Sequence, residues 1–394
     1  MITTSAFVLI LNFILVCYAL QKTIYISHKK HLFDEPFENR KIHLTKTPNL
    51  GGVAIFLTVM VTSSLFLPYA SIPHLNYLVT GAVIIFVVGL IDDLVGVNPV
   101  KKFLAQLLVA FILTVPGMLR LTSFHGLFGV FEIPLAVSIP VTGLIILFVI
   151  NAFNLIDGIN CLAGSIGLLA CLTFSYFFWQ LGQDGLLFLS LAMSGSLAGF
   201  LLFNKTPAKI FMGDTGSLFL GLVIVFFSLN FIELNRDNQL NPVIPVFRSA
   251  PAIVLSIIVI PVFDTLRIFS LRLIRGKSPF RADRNHIHHR LIDMKFSHLQ
   301  STGILVAFSL FSLLTILSLQ MFTTAQQFMV IGIICLSFNG LLWYAYSRRH
   351  AGAGTSANEA VIQSKELPAL RLLNDSSKTK KMDKKELAKI GDEI

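Results

Sequence analysis

Five polar segments lie between long apolar runs of this chain, and each carries side chains able to do chemistry. In GLIDDLVGVNPVKK, Asp92 and Asp93 are adjacent and Lys101 and Lys102 follow. Paired carboxylates at the end of an apolar run suit a divalent metal or a proton to be abstracted, or simply a solvated helix end paired with the lysines. In NAFNLIDGINCLAG, the residues Asn151, Asn154, Asp157 and Asn160 recur every three positions, so a helix would gather them on one side. Amides around one acid suit a polar ligand such as a nucleotide or sugar, and equally suit capping, with Gly158 ending a helix. In KIFMGDTGSLFLG, Asp214 lies between Gly213 and Gly216 where a helix would begin. It is either a metal-binding carboxylate beside amides that favour phosphate, or an N-cap.

Two further segments are basic. HLTKTPNLGG places Lys46 before Gly51 and Gly52, either to meet an anion beside exposed backbone N–H groups or as a juxtamembrane turn. Around RGKSPFRADRNHIHHRL, Arg272, Arg275, Lys277, Arg281, Arg284 and Arg290 surround His286, His288 and His289. The histidines lack the cysteine or carboxylate partners of a zinc site. Arginine and histidine donors gripping a diphosphate and sugar hydroxyls fit better, with anchoring to lipid headgroups as the plainer alternative.

What must position these residues is a membrane bundle. The 394 residues are 54% hydrophobic and only 13% charged, about half the charge of a soluble domain. Their apolar residues come in runs long enough to cross about 30 Å of hydrocarbon. Eleven runs fall near 4–20, 50–67, 76–91, 103–119, 137–153, 159–180, 185–203, 216–232, 247–266, 302–322 and 326–346, which predicts an all-α polytopic bundle. Residues 2–20 have no basic residue before them and no small-residue cleavage site after, so they are expected to stay as the first helix. With the N-terminus outside, 28 of the 31 Lys and Arg fall on inner segments, which orients the chain with its C-terminus in the cytoplasm. The net charge of +10 then faces anionic headgroups or anionic substrates, and no nucleic acid is needed to explain it. All five polar segments share that inner side. Residues 1–346 read as an integral membrane catalytic domain and 347–394 as a polar, basic, partly disordered tail. Cys17, Cys161, Cys171 and Cys335 are scattered through apolar runs and read as small buried hydrophobes.

The combination of DDL at 92–94, NAFNLIDGIN at 151–160, FMGDTGS at 211–217 and HIHH at 286–289 resembles the polyprenyl-phosphate N-acetylhexosamine-1-phosphate transferase family over roughly residues 40–300. The resemblance implies that the phosphate of undecaprenyl phosphate attacks the β-phosphorus of a UDP-N-acetylhexosamine, at the cytoplasmic face of a bacterial inner membrane. It implies a magnesium ion, with manganese an open substitute, held by Asp214 with Asp92. Asp92 and Asp93 would serve the acceptor phosphate, with Asp92 as the base, and Asp157 would join them as a catalytic carboxylate. Asn151, Asn154 and Asp157 would line the nucleotide-sugar pocket, with Asn160 near the uridine and Phe211 stacked on uracil. Lys46, Lys102, Arg281, His286, His288 and His289 would hold phosphate and sugar. The histidine run is broken by Ile287, which resembles the branch that uses UDP-GlcNAc, or a related UDP-HexNAc, to start O-antigen, enterobacterial common antigen or teichoic acid linkage synthesis. Phospho-MurNAc-pentapeptide translocases instead carry three consecutive histidines. A homodimer is one assembly the resemblance leaves open. The rival class is a transporter, but its ionisable groups belong near the bilayer midplane, whereas these acids sit at the ends of spans.

Overall fold

The computed structural model describes residues 2–32, 47–66, 72, 74–127, 129–240, 247–276 and 285–349. Lys46, Arg281 and the tail from residue 350 onward lie outside them. The compact unit that holds the polar segments runs Met1–Cys335.

A hydrocarbon medium offers no partners for peptide groups, so the apolar runs fold as helices that satisfy their own backbones. Among the described residues these are α1 (Ile2–Lys30), α2 (Gly51–Phe66), α3 (Leu75–Val95), α4 (Pro99–Thr114), α5 (Leu135–Ile156), α6 (Leu162–Gln180), α7 (Asp184–Asn204) and α8 (Gly213–Leu240). They continue with α9 (Ala250–Ile257), α10 (Val259–Ile274), α11 (Ile287–Asp293), α12 (His298–Ser318) and α13 (Thr324–Arg349). Eight are long and apolar enough to cross a membrane, and nine do so if α9 and α10, bent by 80° at their junction, form one span. The expectation of an all-α membrane bundle holds at that count. Each of the eleven runs lies on a helix or on the bent pair, but α2 and α4 have 16 residues each, about 24 Å of rise against about 30 Å of hydrocarbon. A short antiparallel hairpin, β1 (Ser123–Leu127) with β2 (Val130–Glu132), joins α4 to α5 and was not foreseen.

The core is built around α8, the most buried of the long helices, which packs against α2, α3, α5 and α6. Phenylalanines fill its C-terminal half, with Phe177 and Phe231 stacked at 4.8 Å and Phe174 tilted against Phe227 at 5.9 Å. Its N-terminal end is held by backbone contact instead. A Cβ on Gly52 would lie 2.1 Å from the Gly216 nitrogen, and one on Gly89 would lie 2.6 Å from the Thr215 Cα. No other residue type lets α2 and α3 approach the first turn of α8 so closely. Gly51 and Gly52 also donate their N–H groups to the carbonyls of Phe211 and Met212 (2.9 and 2.8 Å), and Phe211 donates to Pro48 (2.9 Å). Gly213 then turns the chain into α8 with a φ of 73°.

Gly52→Ala is expected to force α2 and α8 apart and destabilise the protein by about 1–3 kcal/mol or more. Gly303→Ala, whose Cβ position has nothing within 4 Å, should be neutral. Recovery of monodisperse protein after heating in detergent checks the pair.

Candidate active site

The end of α3 meets the start of α8, and the two neighbouring aspartates there do different work. Asp93 accepts from the backbone N–H groups of Asp214 (2.7 Å) and Thr215 (2.9 Å) and from the Thr215 hydroxyl (2.6 Å). It therefore caps α8 from another helix, satisfying N–H groups that the first turn cannot satisfy itself. Asp92 accepts from the Val97 N–H (2.6 Å) at the C-terminal turn of α3 and from the Lys102 ammonium (3.0 Å). Lys102 comes from the first turn of α4, where Asn98 caps the helix and Pro99 occupies its first turn. Its Nζ also contacts Asp214, so one ammonium bridges carboxylates from α3 and α8. Asn154, near the end of α5, donates to Asp214 (2.7 Å) and to Ser217 (2.9 Å). Asp157 ends α5. Burial, then the charges of Asp214 and Asp93, hold its carboxyl well above the usual carboxylate range.

Two cavities adjoin at this cluster. One, of about 520 Å³, is lined by Asn49, Asp93, Asn160, Asn204, Phe211, Asp214 and His298 among others. The other, of about 1160 Å³, is mostly apolar and reaches from Asp92 and Lys102 past Leu144, Phe148 and Leu229 to Leu121 and Leu127 of the hairpin. Asp92, Asn154, Asp157 and Gly158 line both.

Of the residues singled out by sequence, Asp92, Asp93, Asn154, Asp157, Asn160, Phe211 and Asp214 meet at the smaller cavity. Asn160 donates to the Thr206 hydroxyl (3.0 Å). Lys102, Asn151, His286, His288 and His289 line the larger one. Asn151 is paired with Gln106, donating to its side-chain carbonyl at 2.6 Å. The His288 ring is buried, its Nε2 has no hydrogen-bond partner among the described residues, and it abuts Gly158, where a Cβ would lie 2.5 Å from that nitrogen. Burial and then the neighbouring His289 push it down to about 3, so it is neutral. Gln106, His298, Asn49 and Thr215 were missed. Gln106 follows Lys102 by four positions and so shares its helix face, a signal present in the sequence. Asn49 lies within HLTKTPNLGG without having been singled out, and His298 stands in no motif.

Among the described residues no group of three His, Cys, Asp or Glu is arranged to hold a metal. The donor chemistry nevertheless fits magnesium. Asp92 and Asp214 turn hard carboxylate oxygens toward one shared cation, and magnesium binds through one or two carboxylates while taking its other ligands from water and substrate phosphates.

Residues 75–232 match the family described as Glycosyl transferase family 4. The chain is 37% identical over 298 residues to a protein of Bacillus subtilis (strain 168) named "Probable undecaprenyl-phosphate N-acetylglucosaminyl 1-phosphate transferase", covering 75% of this chain and 79% of the relative. It is 33% identical over 281 residues to the decaprenyl-phosphate N-acetylglucosaminephosphotransferase of Mycobacterium tuberculosis (strain ATCC 25618 / H37Rv), covering 66% and 69%. It is 29% identical over 287 residues to the undecaprenyl-phosphate alpha-N-acetylglucosaminyl 1-phosphate transferase of Escherichia coli (strain K12), covering 70% and 73%.

Because the Asp157 carboxyl is raised on folding, its stabilising effect is full below its unfolded pKa near 4 and is lost as pH climbs through the folded value. Asp157→Asn removes that loss. In EDTA the variant should melt above the unsubstituted protein at pH 8, by a margin that shrinks toward pH 4. A margin independent of pH would show that Asp157 does not titrate as described.

Proposed function

Since this chain belongs to the polyprenyl-phosphate N-acetylhexosamine-1-phosphate transferase family, we propose that it transfers N-acetylglucosamine 1-phosphate from UDP-GlcNAc to undecaprenyl phosphate, releasing UMP. The observation that carries this reading is the pair of cavities. A polar one and a long apolar one share four lining residues, and three of these are Asp92, Asn154 and Asp157. A reaction between a nucleotide sugar and a lipid phosphate needs both compartments and a common boundary.

An acceptor phosphate oxygen bonds to the β-phosphorus of the donor, and the bond from that phosphorus to the UMP oxygen breaks. Both reactants are anions, so the site must first offset their repulsion. Lys102 supplies positive charge at the boundary. Magnesium, held by Asp214 with Asp92, would supply charge neutralisation at the diphosphate. The acceptor monoester has a second pKa near 6 and is mostly ionised at neutral pH, so Asp92 as base removes only the remaining proton. Asp93 fixes the backbone that carries Asp214 and so positions it. Asn154 holds the Asp214 carboxylate, and Asp157 lies beside it. Asn160 and Phe211 take the uridine, while Lys46, Arg281 and the histidines hold phosphate and sugar, and Asn151, paired with Gln106, lines the larger cavity.

The charge asymmetry supports eleven spans with the N-terminus outside, which sets this boundary at the cytoplasmic face of a bacterial inner membrane. On that reading α2 and α4 span where the bilayer thins to match them, which leaves the ends of α3 and α8 near water.

Purified protein in detergent with undecaprenyl phosphate and magnesium should release UMP from UDP-GlcNAc, and not from UDP-GalNAc or UDP-MurNAc-pentapeptide. EDTA should stop it. Release from the pentapeptide donor alone would move the chain to the other branch of the family. Asp214→Asn should lower turnover at least ~10²-fold. Cys161→Ala should not, because Cys161 is tied in by its backbone N–H to Asn204 (2.6 Å).

A further inference from the structure

Asp264 lies on α10 beyond the bend, 1% exposed, in a place where an ionised side chain demands partners. It has them on both oxygens. Oδ1 accepts from Arg267 Nη2 (2.7 Å) and Nε (3.3 Å) and from the Ile287 N–H (3.1 Å). Oδ2 pairs with His286 Nδ1 at 2.8 Å. Arg267 reaches on to the carbonyl of Asn285. The carboxylate therefore joins the second half of the bent pair to the start of α11, the short helix that carries His288 and His289.

The pairing also decides a proton. A carboxylate bound to a guanidinium is ionised and can only accept, so Nδ1 of His286 carries the hydrogen. Nε2 is then the nitrogen left for a ligand. The imidazole lines the large cavity and stacks nearly parallel on His288, at 5.4 Å and 15°, and His288 lies 4.4 Å from His289. Nε2 of His288 in turn abuts Gly158, which lines both cavities. The orientation of the histidine group at the reaction boundary thus traces back to one buried aspartate outside the cluster of Asp92 and Asp214.

We infer that Asp264 is a positioning residue for the transfer: it fixes the tautomer and ring plane of His286, and through the stack it sets where the histidines meet the diphosphate and sugar of the donor. The inference rests on the transferase reading above. The competing account is that Asp264 and Arg267 merely fasten α10 to α11.

A double-mutant cycle on the full-length protein in detergent separates the two, following UMP release from UDP-GlcNAc with undecaprenyl phosphate. Asp264→Asn should lower kcat about 10- to 100-fold, the loss seen where a carboxylate that orients an imidazole is removed. KM for UDP-GlcNAc should change less than about 3-fold. In a His286→Gln background, itself impaired, the same change should cost nothing further. Arg267→Gln keeps the pair between Asp264 and His286 and should lose less than about tenfold. An equal loss from Asp264→Asn in both backgrounds, or an unimpaired His286→Gln, would overturn the role and leave only the fastening. Should Asp264→Asn not fold, Asp264→Glu completes the cycle, since it keeps the charge for Arg267 and displaces the carboxylate from His286. No release of UMP by the unsubstituted protein would sink the transferase reading and this role with it; release with an additive cycle would sink this role alone.

Discussion

One ammonium held between two carboxylates is the contact on which the rest of the polar end of the bundle depends. Asp92 and Asp214 come from different helices and would repel each other near a low-dielectric medium, yet Lys102 draws them to a single point. Each partner is fixed from behind: Asp92 by the turn that ends α3, Asp214 by Asn154 and by the capped first turn of α8, and Lys102 by the cap and proline that start α4. The arrangement gathers negative oxygens around a positive centre, the electrostatic pattern a divalent cation and a diphosphate also require.

The surroundings explain why this chemistry sits at helix ends. Inside hydrocarbon each helix uses up its own peptide groups, so polar recognition is available only where the ladders stop. The first turn of α8, the last turns of α3 and α5 and the start of α11 all supply such ends. Asp93 and Asp264 apply the same device at two places, each a carboxylate that accepts backbone N–H at the start of another helix, two such groups for Asp93 and one for Asp264. One steadies the acidic cluster and the other the histidines.

Much of this was legible in the sequence, because hydrophobic run length directly reports the medium a helix must cross. The apolar runs lie on helices, and the polar segments at 92–102, 151–160 and 211–217 do meet. What could not be read is how adjacent residues divide their work. Asp92 and Asp93 are indistinguishable as a dipeptide, and only the approach of α8, more than a hundred residues later, makes one a cap and leaves the other on both cavities. The bend between α9 and α10 falls within an unbroken apolar run with no signal in hydropathy. Composition likewise could not show that the histidines line the larger cavity, since that follows from the tie to Asp264. The ion pair of Asp264 and Arg267, ambiguous as two charges at the end of a span, acquires meaning only with His286 beside it.

The glycines where α2 and α3 touch α8 carry a consequence for natural variation. Every missense change of a glycine codon adds at least one carbon, and at Gly52 and Gly89 that carbon falls on backbone rather than on a side chain that could move aside. Inherited variants at these two positions therefore form a single class: each displaces the first turn of α8, lowering stability and shifting the backbone that carries Asp214. Heritable shifts in sugar preference would arise instead from the side chains that line the two cavities, where a change of size can be absorbed.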